Sequence, residues 1–155
     1  MRTGAAVLGL AVALSAGAAD DRRALSRTPL LNPTTTPQLL PRMWMTVGTQ
    51  RFAVTLEDNP TARAFVQLLP TTFEMAELNG NEKYARLPRS LPTNAVQAGT
   101  IRSGDVLLYG NDTLVVFYKT FPSSYSYTRI GHITESAVLA QALGPRNPRV
   151  AFTVP

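Results

Sequence analysis

The sequence predicts one mostly-β domain over residues 43–155, folded as a closed or nearly closed β-barrel with two short helices. Three observations carry that reading. Short apolar segments recur from Trp44 to Val154, several with strict period-2 alternation, and turn-forming residues separate them. Only two stretches show a helical period. Apolar residues make up 45% of the 155-residue chain, enough to bury one core, and a single core uses on the order of 100–150 residues. Many short strands with few helices bury their apolar faces best as a sheet closed on itself.

The elements follow in chain order. Trp44 to Val47 and Phe52 to Leu56 flank a turn over Gly48–Arg51 and form a first hairpin. Asp58 and Asn59 before Pro60 mark a helix start, with capping side chains ahead of a proline in the first turn. From Thr61 to Leu69, Ala62, Phe65, Val66 and Leu69 lie on one stripe, and Pro70 ends the helix. Thr72 to Leu78 alternates strictly, as a half-buried strand does, and Asn79–Glu82 is a tight turn. Leu87 to Gln97, with Pro88 and Pro92, is expected to be an irregular loop. Val106 to Tyr109 and Thr113 to Tyr118, around Gly110-Asn111-Asp112, form the clearest hairpin. Tyr125 to Ile133 is a further strand, Glu135 to Leu143 a short helix stopped by Gly144 and Pro145, and Val150 to Val154 the closing strand.

The N-terminal segment has a different composition. Arg2, the apolar run Ala5 to Leu14 and the small residues Ser15 to Ala19 have the layout of a signal peptide, cleaved after Ala18 or Ala19. The apolar run is far shorter than the ~20 residues of a spanning helix. Residues 20–42 carry Pro29, Pro33, Pro37 and Pro41 with Thr34 to Thr36, which reads as a solvated, extended linker. The expectation is an exported domain, periplasmic or extracellular, with no membrane attachment after cleavage. Residues 1–42 hold five arginines against two aspartates, so +3 of the net +5 lies outside the domain. The domain lacks the clustered basic face that nucleic-acid binding needs. The chain has no cysteine, which excludes disulfides, thiol nucleophiles, cysteine-ligated metals and a lipid-modified cysteine.

Four separated motifs carry a family resemblance. They are Leu56-Glu57-Asp58-Asn59-Pro60-Thr61-Ala62, Leu78-Asn79-Gly80-Asn81-Glu82-Lys83-Tyr84, Gly104-Asp105-Val106-Leu107-Leu108-Tyr109-Gly110-Asn111 and Tyr125-Ser126-Tyr127-Thr128-Arg129-Ile130-Gly131. In this order they resemble a bacterial cyclophilin-like domain family, over Met43 to Phe152. The resemblance implies a cyclophilin-type barrel of about eight strands with helices at its ends, in a family largely without assigned activity. Cyclophilins proper carry an arginine in a phenylalanine- and glycine-rich strand and a Phe-Met-Gln platform. This sequence has neither, so no isomerase site is carried over.

The residues allow two kinds of role for the aromatic segments. Prolyl isomerisation needs no nucleophile, metal or cofactor, only an apolar pocket and a cation or donor that favours the twisted amide. Arg129, the one candidate catalytic group, supplies that composition together with Phe117, Tyr118, Phe121, Tyr125 and Tyr127. Period-2 spacing places Tyr125, Tyr127 and Arg129 on one face of their strand. With Tyr109 these residues make the expected ligand-binding set, and such a face suits a peptide or small ligand as well as catalysis. Alternatively, tyrosine and phenylalanine on barrel strands pack the core or the barrel ends, and Arg129 pairs with Glu57, Glu82 or Asp105. No cofactor or metal is expected: Glu57, Asp58, Glu82, Asp105 and Asp112 show no ligand spacing and read as turn-forming acids. Ser123, Ser124 and Ser126 are not in a nucleophile elbow. His132 reads as an ordinary strand residue with no identifiable partner. The expected function is ligand binding by an exported domain, with a prolyl isomerase acting on exported proteins as the alternative.

Overall fold

The computed structural model describes residues 40–155. The expected leader (1–19) and residues 20–39 of the expected linker lie outside the described residues. Ten strands and two helices follow in order: β1 (Met43–Val47), β2 (Gln50–Leu56), α1 (Pro60–Val66), β3 (Thr71–Glu74), β4 (Ala76–Leu78), β5 (Glu82–Arg86), β6 (Val96–Ile101), β7 (Asp105–Tyr109), β8 (Thr113–Phe117), β9 (Phe121–Ile133), α2 (Leu139–Leu143) and β10 (Arg149–Thr153).

The strands hydrogen-bond in the order β3-β10-β1-β2-β9-β7-β8-β5-β4, and β6 pairs with β9 off this path. The two ends of the path, β3 and β4, are consecutive in the chain and separated only by Met75. The sheet is thus a nearly closed barrel. Its seam is one segment that pairs with β10 before Met75 and with β5 after it. The single strand expected from Thr72 to Leu78 is broken there because it serves two partners on opposite edges. Met75 is fully buried and its N–H donates to the Pro148 carbonyl at 2.9 Å. Counting β3 and β4 as one stave gives the eight staves the resemblance implies.

The inner face of the barrel is apolar. Met43, Met45, Val106, Leu108, Leu114, Val116 and Ile130 are buried there, and Phe65 of α1 packs edge-on against Phe152 of β10 at 5.6 Å. Asn59 caps α1, accepting from the Ala62 N–H at 2.8 Å, while its Nδ2 donates to the Arg129 carbonyl at 2.8 Å. One side chain thus both starts the helix and ties it to β9.

A second apolar cluster lies on the outer face of β7 and β8. Leu107, Val115 and Phe117 alternate away from the barrel core and are buried by Ile101 of β6 and Tyr127 of β9. This covering explains why β7 and β8 read as continuous apolar runs: both of their faces are buried. Four further elements differ from expectation. The strand β5 was not anticipated, because fully buried Lys83 breaks its alternation. The expected loop from Leu87 to Gln97 ends at β6. The strand β9 begins four residues early, its Phe121–Tyr127 half pairing with β6. Helix α2 starts only at Leu139, preceded by Val138, which provides no side-chain cap.

Candidate functional site

The strand β9 is 13 residues long, about 40 Å at strand rise, and it changes partners along its length. From Phe121 to Tyr127 it pairs with β6; from Thr128 onward it pairs with β7 and then β2. The first half leaves the barrel wall and, with β6, folds across the outer face of β7 and β8. Between that flap and the outer face of β5 and β8 lies an open groove of about 450 Å³.

Aromatic rings line it. Tyr84 of β5, Tyr109 of β7, and Phe121, Tyr125 and Tyr127 of β9 all reach the groove. Tyr109 packs edge-on to Tyr125 at 6.5 Å and lies 5.7 Å from Tyr127. Tyr127 rests edge-on against Phe117 at 5.6 Å, and Phe117 meets Phe121 at 5.7 Å. Centroid separations of 4.5–7 Å are those of interacting aromatic pairs, so the rings hold one another in place. The outermost rings remain open to solvent: Tyr109 is 49% exposed and Tyr125 64% exposed.

The expected site residues therefore divide. Tyr109, Phe121, Tyr125 and Tyr127 line one groove. Phe117 is fully buried beneath it and supports the floor. Tyr118 lies elsewhere: its hydroxyl donates to Glu77 Oε1 at 2.7 Å, beside α2 rather than the flap. Arg129 also lies elsewhere. Its guanidinium sits 3.7 Å from Asp105, and its side chain lines a separate cleft with Asn59, Pro60, Pro92 and Asn94. The shared strand face expected for Tyr125, Tyr127 and Arg129 does not produce a shared site. Alternation fixes which side of a strand a residue occupies, and here the strand passes from one ladder to another between Tyr127 and Thr128. His132 also gains a partner the sequence did not reveal, with Nδ1 3.0 Å from Asp105.

The sequence reading missed the charged residues of the groove, Glu82 and Arg86, both on β5. Glu82, Tyr84 and Arg86 alternate onto its outer face and line the groove. Their i, i+2, i+4 spacing was the available signal, obscured by Lys83 between them. Arg86 is 3.6 Å from Asp112. Glu82 is only 8% exposed, and among the described residues no cation lies within salt-bridge distance of it. Burial, and then the negative charge of Glu77, push the Glu82 carboxyl above the ordinary range. Burial, followed by the charge of Glu82, pushes the Tyr127 hydroxyl up to about 12.

The raised Glu82 pKa has a direct consequence for stability. A carboxyl whose pKa rises on folding favours the fold when protonated, and that contribution is lost as pH rises through the folded value. Glu82→Gln is therefore expected to stabilise the domain by roughly 1 kcal/mol at neutral pH. The gain should vanish as pH falls below the ordinary glutamate value of 4.5. Urea midpoints of both proteins across that range check the sign.

A family model described as the cyclophilin-like family matches residues 45–154. The chain belongs to the cyclophilin-like family. The match runs from within β1 through β10, so it takes in the flap and the groove together with nearly all of the barrel. A comparison with curated proteins finds no match. In this cyclophilin-like domain the flap is part of the family-matched region, and the groove is assembled entirely within it.

Proposed function

We propose that this cyclophilin-like domain acts outside the cytoplasm, after removal of its leader, and binds a peptide or small ligand in the groove between β5, β8 and the flap. The observation that supports this is the convergence of five aromatic side chains on one open groove, two of them largely exposed. Its size falls within the roughly 300–1,000 Å³ of small-ligand pockets. Exposed, mutually braced tyrosines present large contact area with little rotamer freedom to lose. Binding is favoured over prolyl isomerisation, because Arg129 stands with Asp105 in another cleft and not among the aromatic rings.

Saturation-transfer NMR on a library of short peptides and small fragments tests this reading, with wild type and Tyr125→Ala compared. Tyr125→Ala is expected to weaken binding roughly fivefold to tenfold. Its melting temperature should not change, because the side chain is 64% exposed. Ligands that bind both proteins equally would contradict the groove as the site.

A further inference from the structure

The groove has a chemical polarity. Successive outward residues of β5 place Glu82 at one end, Tyr84 between, and Arg86 at the other, about 13 Å from Glu82 along the strand. Arg86 is already matched by Asp112 at 3.6 Å, so that end is close to neutral. The Glu82 end is not. Residue Glu82 is only 8% exposed, and among the described residues its carboxyl has neither a salt bridge nor a side-chain hydrogen bond. Next to it, Asn81 Oδ1 is also buried without a hydrogen-bond partner. Buried charges and acceptors are ordinarily paired.

Both orphan groups border a wall of aromatic rings, whose faces carry negative electrostatic potential and attract cations. A carboxylate with no counter-ion and several tyrosine faces share one preference. Water can hydrogen-bond the carboxylate but does not complement the ring faces, and a neutral ligand leaves the carboxylate without a counter-charge. A small organic cation satisfies both, its charge on Glu82 and its alkyl surface on the rings. We infer that the groove is a site for a small organic ammonium ligand, with Glu82 as its counter-ion and Tyr84, Tyr109, Tyr125 and Tyr127 as its aromatic walls. This rests on the ligand-groove reading above and narrows it to one chemical class.

Two matched probe pairs test the inference by titration calorimetry and amide shift mapping. Choline is compared with its neutral carbon isostere 3,3-dimethyl-1-butanol, and n-butylammonium with 1-butanol. The ammonium member of at least one pair is expected to bind in the groove roughly tenfold more tightly than its neutral partner. Glu82→Gln, which should fold at least as well as wild type, is expected to abolish that preference. Tyr109→Leu, at a half-exposed position, should weaken the cation more than the alcohol. Equal binding of charged and neutral probes, or a preference that survives in Glu82→Gln, overturns the ammonium assignment and leaves the ligand groove standing. A lysine-containing peptide that binds where neither small ammonium does also overturns it, because the occupant is then a peptide. Entry of no probe, charged, neutral or peptide, removes both the assignment and the groove reading.

Discussion

Glu77→Ala is expected to destabilise the domain by about 3–5 kcal/mol at neutral pH, the loss typical of stranding one member of a buried ion pair. The Lys83 side chain has no solvent exposure and its ammonium lies 2.5 Å from Glu77 Oε2. It also donates to the Arg146 carbonyl at 2.7 Å, which ties β5 to the segment between α2 and β10. Glu77 Oε1 accepts from the Tyr118 hydroxyl at 2.7 Å and from the Gly80 N–H at 2.9 Å. Removing the carboxylate leaves a buried ammonium with a single carbonyl, and the tyrosine hydroxyl without its acceptor. The pH dependence has a definite sign. Burial alone would raise the Glu77 pKa, but hydrogen bonds from Lys83 and Tyr118 and the charge of Lys83 outweigh it, and the net shift is downward. Its contribution is therefore present above the ordinary carboxylate range and lost as pH falls through the lowered value. Urea denaturation should show the gap between wild type and variant narrowing on acidification. The double variant Glu77→Leu with Lys83→Met removes both charges and should recover most of the loss.

Gly131→Ala is expected to cost about 2–3 kcal/mol, the range for forcing an extra methyl into a packed site. A methyl at Gly131 would run into the Thr55 carbonyl oxygen and crowd Val54 Cγ1 at 3.1 Å. The obstacle is the backbone of β2, where Leu56 pairs with Gly131, so no flexible side chain can yield. The register also shifts here, since Val106 of β7 faces Gly131 but Leu107 faces Arg129. An added Cβ would push β9 from β2 where it is already irregular. A fall in melting temperature of roughly 10 °C is the expected reading. An unchanged value would mean that β2 and β9 do not approach this closely.

The effects of these two variants also show what the sequence made legible. The hairpins β1–β2 and β7–β8 followed from alternation and turn residues, and the start of α1 followed from Asn59 and Pro60, because those signals are local. The strand β5 did not, because its buried lysine is satisfied by Glu77 and Arg146, the latter 63 positions away in the chain. A buried charge is legible only once its partner is placed. The groove followed the same division. Four of its aromatic residues stood out by type and spacing. Glu82 read as a turn acid, since nothing local distinguishes an acid after Asn79-Gly80-Asn81 from one facing a ring cluster. Period 2 puts Arg129 on the aromatic face, but that rule holds only while a strand keeps its partners, and β9 changes partners one residue before it.

The groove between β5, β8 and the flap is the proposed ligand site of this cyclophilin-like domain. The most direct test is amide and aromatic shift mapping of the isotope-labelled domain, titrated with the peptide and fragment library. Shifts are expected to concentrate on Glu82–Arg86, Thr113–Val115 and Phe121–Tyr127, with the ring protons of Tyr109 and Tyr125 among the most affected. Shifts centred instead on Arg129, Asn59 and Pro92 would place binding in the other cleft and contradict the groove as the site.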